Sequence, residues 1–179
     1  ETTHIIDVTQ PPYSADGSFK NDASPAIQAA IAAAQKANNG SIVYIPNGMY
    51  KIGSTLNVAN GNYSLEGEGF AAQLNWMGAK DGTLIAVPDP QNMSVKLLRL
   101  CVADSTAGIR VTASGPCSVT IDEIRFGGLN LGNPGASGDN NDGPGIVLSK
   151  LPAESKVYLP HVDSPITVQS MTNTVTHDV

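Results

Sequence analysis

Two eight-residue stretches, MSVKLLRL at 93–100 and VTIDEIRF at 119–126, overlay at an offset of 26 residues. Apolar residues take the first, third, sixth and eighth places in both: Met93, Val95, Leu98 and Leu100 against Val119, Ile121, Ile124 and Phe126. A straight strand, whose side chains alternate, would keep steps of two throughout. The three-residue step in the middle therefore predicts two short strands with a corner between them, Glu123 standing at that corner. A corner repeated at a fixed distance indicates stacked coils.

A second series has the same period. GTLIAV from Gly82, GIRV from Gly108 and GIVL from Gly145 lie 26 and 37 residues apart, so one coil carries 11 extra residues. Those extra residues belong to GGLNLGNPGASGDNNDG, at 127–143, a polar glycine-rich segment that a regular coil cannot hold and that must bulge from the stack. The two series together predict a parallel β-solenoid of three to five coils.

The rest of the chain fits that reading. HIIDVT at 4–9 is a short strand, followed by a Pro/Gly/Asp loop. One helix then follows, with Ser24 as its cap, Pro25 in its first turn and Asn38-Asn39-Gly40 as a left-handed stop. Ala26, Ile27, Ala30, Ile31 and Ala34 form its apolar stripe, made of side chains small enough for close packing. After Gly40 short β segments alternate with Gly, Pro, Asn and Asp up to PITVQS at 165–170.

With 179 residues, 41% of them hydrophobic, the chain can bury a core as one domain: a loop and capping helix over 1–40, then coils over 41–179. Its formal net charge of −6 argues against nucleic acid, whose phosphates require a basic surface, and gives no reason to expect an anionic membrane. No apolar run is long enough to cross a bilayer. Only 15% of residues are charged, and such a neutral, turn-rich surface suits an extracellular β protein. Cys101 and Cys117 are the only cysteines; a disulfide and two buried thiols both remain open, and no His/Cys cluster suggests zinc.

The N-terminal part resembles the pectate-lyase-like, right-handed β-helix proteins. YSADGSFKNDASPAIQAAI, at 13–31, is similar to that family's Tyr-Gly-Ala-x-Gly-Asp-Gly…Asp-Asp…Ala-Ile pattern, although Ser14 replaces a glycine and the Gly-Asp-Gly is reduced to ADG. GSIVYIPNGMYKI and YSLEGEG match its next two signatures. The resemblance implies a right-handed parallel β-helix with one N-terminal capping helix. It also implies a secreted protein that acts on a polysaccharide, as a hydrolase or transferase more than as a lyase. A fold shared by many activities supports no finer statement.

Hydrolysis of a glycosidic bond uses two carboxyl groups; elimination from a uronate uses a base and a way to neutralise the sugar carboxylate, often Ca²⁺. The resemblance brings none of the family's catalytic motifs with it; TNTVTHD near the end shares their letters and not their order. The remaining catalytic candidates come from the residues themselves. Asp122 and Arg125 point outward if Ile121, Ile124 and Phe126 point inward, with Arg99 one coil before Arg125; the alternative is a solvated ladder of little energetic weight. Asp139 and Asp142 are candidate ligands for a sugar hydroxyl or Ca²⁺, or else satisfy loop backbone, and their spacing is not that of an EF-hand. His161 and Asp163 form a candidate acid–base pair if extended, although Pro160 and Pro165 favour a turn. Trp76 and Tyr63 are candidate sugar-stacking rings, or else core. Asp16 and Asp22 brace the approach to the helix. No metal site and no cofactor is supported; calcium would be the ion if one bound.

β-like sequence runs to the last residue with no closing helix. Exposed strand edges are a liability, so the far end of the stack is expected to be covered by further coils of a longer protein or by another chain. The competing readings are a structural or adhesive β-helix, such as a fibre, spike or surface subunit, and a carbohydrate-binding module.

Overall fold

In a computed structural model, residues 4–102, 107–128, 145–163 and 166–169 are described. The described residues wind through six circuits. The first holds β1 (Ile5–Asp7), β2 (Ser18–Asp22) and α1 (Ser24–Ala37). The second holds β3 (Ser41–Ile45), β4 (Gly48–Ile52) and β5 (Leu56–Asn57), and the third β6 (Tyr63–Gly67), β7 (Ala72–Trp76) and β8 (Thr83–Pro88). In the fourth and fifth, single long strands, β9 (Gln91–Val102) and β11 (Ser118–Gly128), precede β10 (Ala107–Thr112) and β12 (Ile146–Ser149). β13 (Lys156–Tyr158), β14 (Val162–Asp163) and β15 (Ile166–Gln169) make the sixth.

Every strand pair is parallel, and the strands lie in three sheets. The first runs β1-β3-β6 onto the front halves of β9 and β11 and ends on β13; the second runs β2-β4-β7 onto their rear halves and ends on β14. The third is β5-β8-β10-β12-β15. Each sheet sends a column of apolar side chains inward. Val43, Leu65, Val95 and Ile121 stack on the first, Tyr50, Leu74 and Leu100 on the second, and Leu56, Ile85, Ile109 and Ile146 on the third. All are fully buried, and this stacking of like on like holds neighbouring coils together.

The expected corner is present. Met93, Val95, Leu98 and Leu100 pair with Val119, Ile121, Ile124 and Phe126, in the register the overlay gives. Between the halves, Leu97 (φ 58°) and Glu123 (φ 49°) adopt the left-handed backbone that turns the strand from one sheet into the next. The third sheet corrects part of the reading. Ile109 does lie opposite Ile146, 37 residues on, but it lies opposite Ile85, an offset of 24 and not 26. Aligning the glycines misled because Gly82 packs against the Trp76 ring outside its strand, whereas Gly108 lies within β10. A shift of two keeps the same face inward, so the apolar pattern could not reveal it. Five of the six circuits lie beyond residue 40, within the three to five coils expected there, and their length varies: Val43 to Leu65 spans 22 residues and Leu65 to Val95 spans 30.

The helix stands where the third-sheet strand of the first circuit would fall, and it touches β1, β3, β5 and β6. Ile27, Ala30, Ile31 and Ala34 are completely buried in the core. At its C-terminus Asn38 takes the left-handed conformation (φ 48°) and its N–H returns to the Ala34 carbonyl, the stop expected. Its N-terminus differs from expectation: Ala23, not Ser24, is the cap residue, and no side chain caps it. Ser24 is instead a buried clasp. Its hydroxyl donates to Asp22 Oδ1 at 2.6 Å and accepts from the N–H groups of Gly53 and Ser54 at 2.9 and 3.2 Å. β2, read as loop, escaped notice because it is polar and largely exposed, and its register breaks at Phe19 (φ 67°).

Candidate functional site

In a stack of parallel coils, residues in register form columns about 4.8 Å apart. On the outward side of the first sheet one column reads Asp7, Tyr44, Glu66, Lys96, Asp122. Its five rungs make a straight polar track roughly 19 Å long. Lys96 Nζ lies 3.3 Å from Glu66 Oε1, which also accepts from the Ser64 hydroxyl at 2.7 Å. At the far end His161 Nδ1 lies 3.0 Å from Asp122 Oδ1. Burial and the negative charges of Glu68 and Asp7 hold the Tyr44 hydroxyl above its ordinary pKa.

Asp122 and Arg125 both face outward, as inward-pointing Ile121 and Ile124 require. They do not share a face. Asp122 pairs with Lys96 before the corner, whereas Arg125 pairs with Arg99 and Asp163 beyond it. The Arg125 guanidinium lies over the exposed Phe70 ring, 5.6 Å from its centroid, a cation–π contact on the second sheet. The corner residue Glu123 is exposed.

His161 is joined to Asp122, one circuit earlier; the side chain of Asp163, the partner expected for it, lies outside the described residues. Asp163 pairs through its backbone with Arg125. The signal for this contact was in the sequence: β13 lies 38 residues beyond β11, Val119 opposite Val157, and that longer offset brings His161 beside Asp122. Asp139 and Asp142 lie outside the described residues. Trp76 and Tyr63 are buried: the indole N–H donates to the Ala79 carbonyl at 3.0 Å, and the Tyr63 hydroxyl donates to the Ala59 carbonyl. Neither ring presents a face to a sugar. Cys101 and Cys117 are both buried.

Asp16 and Asp22 act as braces. Asp16 gathers hydrogen bonds from Ser18 and Asn21, through backbone and side chain of each, which hold its carboxyl well below the carboxylate range. Burial opposes ionisation of Asp22, but bonds from Ser24 and Gly53 and the Lys51 charge together lower its pKa. Among the described residues, no group of three or more His, Cys, Asp or Glu is placed to hold a metal ion. No described helix is long and apolar enough to cross a membrane.

Along one outward column the track thus sets Asp122 beside His161 and Glu66 beside Lys96. Stacked parallel coils of this kind make the chain a parallel β-solenoid. The family model for rhamnogalacturonase A/epimerase, pectate lyase-like proteins matches residues 6–96, and the chain belongs to that family. Among solved structures, ORF18 of Geobacillus virus E2 superposes with a TM-score of 0.54 at 17% identity, over 97% of this chain and 40% of that one. The catalytic unit of a thermostable GH87 α-1,3-glucanase from Streptomyces thermodiastaticus strain HF3-3 gives a TM-score of 0.41 at 20% identity, over 94% of this chain and 40% of that one. The chain thus spans two fifths of the length of either structure. No curated protein matches it.

Proposed function

We propose that the chain is the N-terminal part of a secreted, right-handed β-helix that binds and cleaves a polysaccharide, as a hydrolase or transferase. The observation that carries this reading is the outward track, on a chain of the pectate-lyase-like family. A linear glycan lies along the rungs. Asp122 exchanges a proton with the scissile region, assisted by His161 at 3.0 Å. Glu66, paired with Lys96 at 3.3 Å, is the second carboxylate. Two rungs separate Glu66 from Asp122, roughly 10 Å of backbone. That backbone spacing is slightly above the separation of about 6.5–9.5 Å between carboxyl groups that leaves room for a water on the far side of the sugar, and the side chains have to lean together to reach it. The low charge and turn-rich surface support export. The buried Ala/Ile face of α1 supports its being the lid of the first coil.

The test is a glycan panel with the full-length protein, scoring new reducing ends against unsaturated products. Cleavage that falls in Asp122→Asn and Glu66→Gln supports the assignment. A folded full-length protein that neither cleaves nor binds any glycan overturns it.

A structural role is the second reading, favoured by one observation. Among the described residues β1 pairs with β3 alone and holds Ile5 64% exposed, an edge on which another coil could dock. Ordered multimers in light scattering would support it, and a monomer at all concentrations would reject it.

A further inference from the structure

The turns that lead from the third sheet back to the first stack on one another, on a different edge of the coil from the outward track. There Asn38, Asn60, Gly61, Asn62, Gln91 and Asn92 surround an open depression of about 340 Å³, within the size range of small-ligand pockets. The first circuit contributes Asn38, the second-to-third turn Asn60, Gly61 and Asn62, and the start of β9 Gln91 and Asn92.

The backbone holds this arrangement in place. The Asn38 side-chain oxygen accepts from the Asn62 N–H at 2.7 Å, and the Gly40 N–H donates to the Asn62 carbonyl at 2.8 Å. Gln35 of α1 donates to the Asn60 carbonyl at 3.0 Å, and Gln91 to the Pro116 carbonyl at 2.8 Å. Gly61 lies flat on Tyr63, so close that a Cβ would stand 2.9 Å from the ring, and this packing fixes the floor. Asn92 is held left-handed at φ 55°. The bonds at Asn60 and Asn62 are made by backbone atoms, which leaves those two amide side chains, with that of Asn92, for a ligand.

The lining decides the ligand class. No cationic side chain is present to recognise a carboxylate, sulfate or phosphate, and no carboxylate is present to hold a metal ion. No apolar side chain offers a surface to a lipid or an aromatic ring. Carboxamides donate and accept together, which complements a group that also does both: the sugar hydroxyl. We propose that this depression is a binding site for a neutral saccharide, separate from the outward track and independent of whether that track cleaves anything.

The experiment is an amide-resolved NMR titration of the protein with neutral oligosaccharides (xylohexaose, mannohexaose, cellohexaose and laminarihexaose), with trigalacturonate as the charged control. The expected result is that at least one neutral oligosaccharide shifts the side-chain amide signals of Asn60, Asn62 and Asn92, and that trigalacturonate does not. Asn62→Ala spares the backbone bonds, and Asn92→Gly removes an amide while keeping a left-handed backbone. Each should weaken binding about tenfold, whereas Glu66→Gln and Asp122→Asn, which disarm the track, should leave it unchanged. The proposal is overturned if no neutral oligosaccharide moves those signals, if trigalacturonate moves them equally, or if folded Asn62→Ala and Asn92→Gly proteins bind as the parent does.

Discussion

His161 and Asp122 meet at 3.0 Å across two successive coils, although 39 residues separate them in the chain. The carboxylate is 27% exposed and the imidazole 75%. At that exposure the contact contributes little to folding, which makes its chemistry separable from its structural role. Asp122→Asn should therefore change stability by less than about 0.5 kcal/mol while lowering turnover on the cleaved glycan about a hundredfold. Paired urea melts and rate measurements check it. Equal losses in both would mark the pair as a brace.

The helix face is the most sensitive part of the N-terminal region. Ile27 and Ile31 are completely buried, so Ile27→Asp or Ile31→Asp places an unpaired charge in the core and should cost at least about 3 kcal/mol. Denaturant unfolding measures the loss. A change under about 0.5 kcal/mol in either variant would remove the case for α1 as a lid.

The corners set a conformational rule. Glu123 is exposed but left-handed, at φ 49°. A β-branched residue tolerates that backbone poorly, so Glu123→Val should destabilise by about 1–2 kcal/mol, whereas Glu123→Gly should be neutral or stabilising. Reversal of that order in urea midpoints would mean that the side chain, not the backbone, holds the corner.

Acid should act through the braces. The folded pKa of Asp22 lies below the ordinary 3.8, so the folded state binds this proton less readily than the unfolded chain. Asp22 thus adds stability above that value, and the gain is lost as pH falls through the lower folded pKa. Asp16 and Asp89 shift in the same direction. Stability should decline from about pH 5 downward, less steeply in Asp22→Asn. An identical pH profile for the variant would exclude Asp22 as a contributor.

Alkali acts in the opposite sense. Burial pushes Tyr50 and Tyr63 up to about 12 from 10.0. Their contribution is complete below the unfolded value of 10.0 and is lost as pH rises through the folded one. In a spectrophotometric titration two tyrosines should ionise only as the protein unfolds, and Tyr63→Phe should leave one. Five tyrosines titrating together in folded protein would contradict the burial.

The parts of this fold that were legible in sequence were those where inward packing broke a simple rule. The three-residue step from Val95 to Leu98 exposed the corner because two apolar side chains had to face the same core from different sheets. Ile85 and Ile109 were placed two residues out of register because a shift of two leaves every apolar side chain inside. Ser24 looked like a cap because hydroxyls usually serve there, but its tertiary partners Gly53 and Ser54 are about thirty residues away. Asp122 was marked as outward-facing, yet its partner was missed because the longer coil, although visible in the 37-residue glycine spacing, was not carried on to KVYL at 156–159, where the offset from β11 is 38. Contacts between coils depend on the length of every intervening loop, so each has to be counted through the coil and not read from a local pattern alone.

The substitution of α1 for a strand has a further consequence. Each later circuit contributes one rung to all three sheets, so it can be duplicated or deleted as a unit without changing the cross-section. The first circuit contributes to only two of them. It is the one turn that cannot be copied into the middle of the stack, because a helix there would interrupt the third sheet. The helix thus acts as the zero mark of a ruler: the positions of Glu66, Lys96 and Asp122 are counted from it, and lengthening the molecule by whole coils beyond them would leave their spacing untouched.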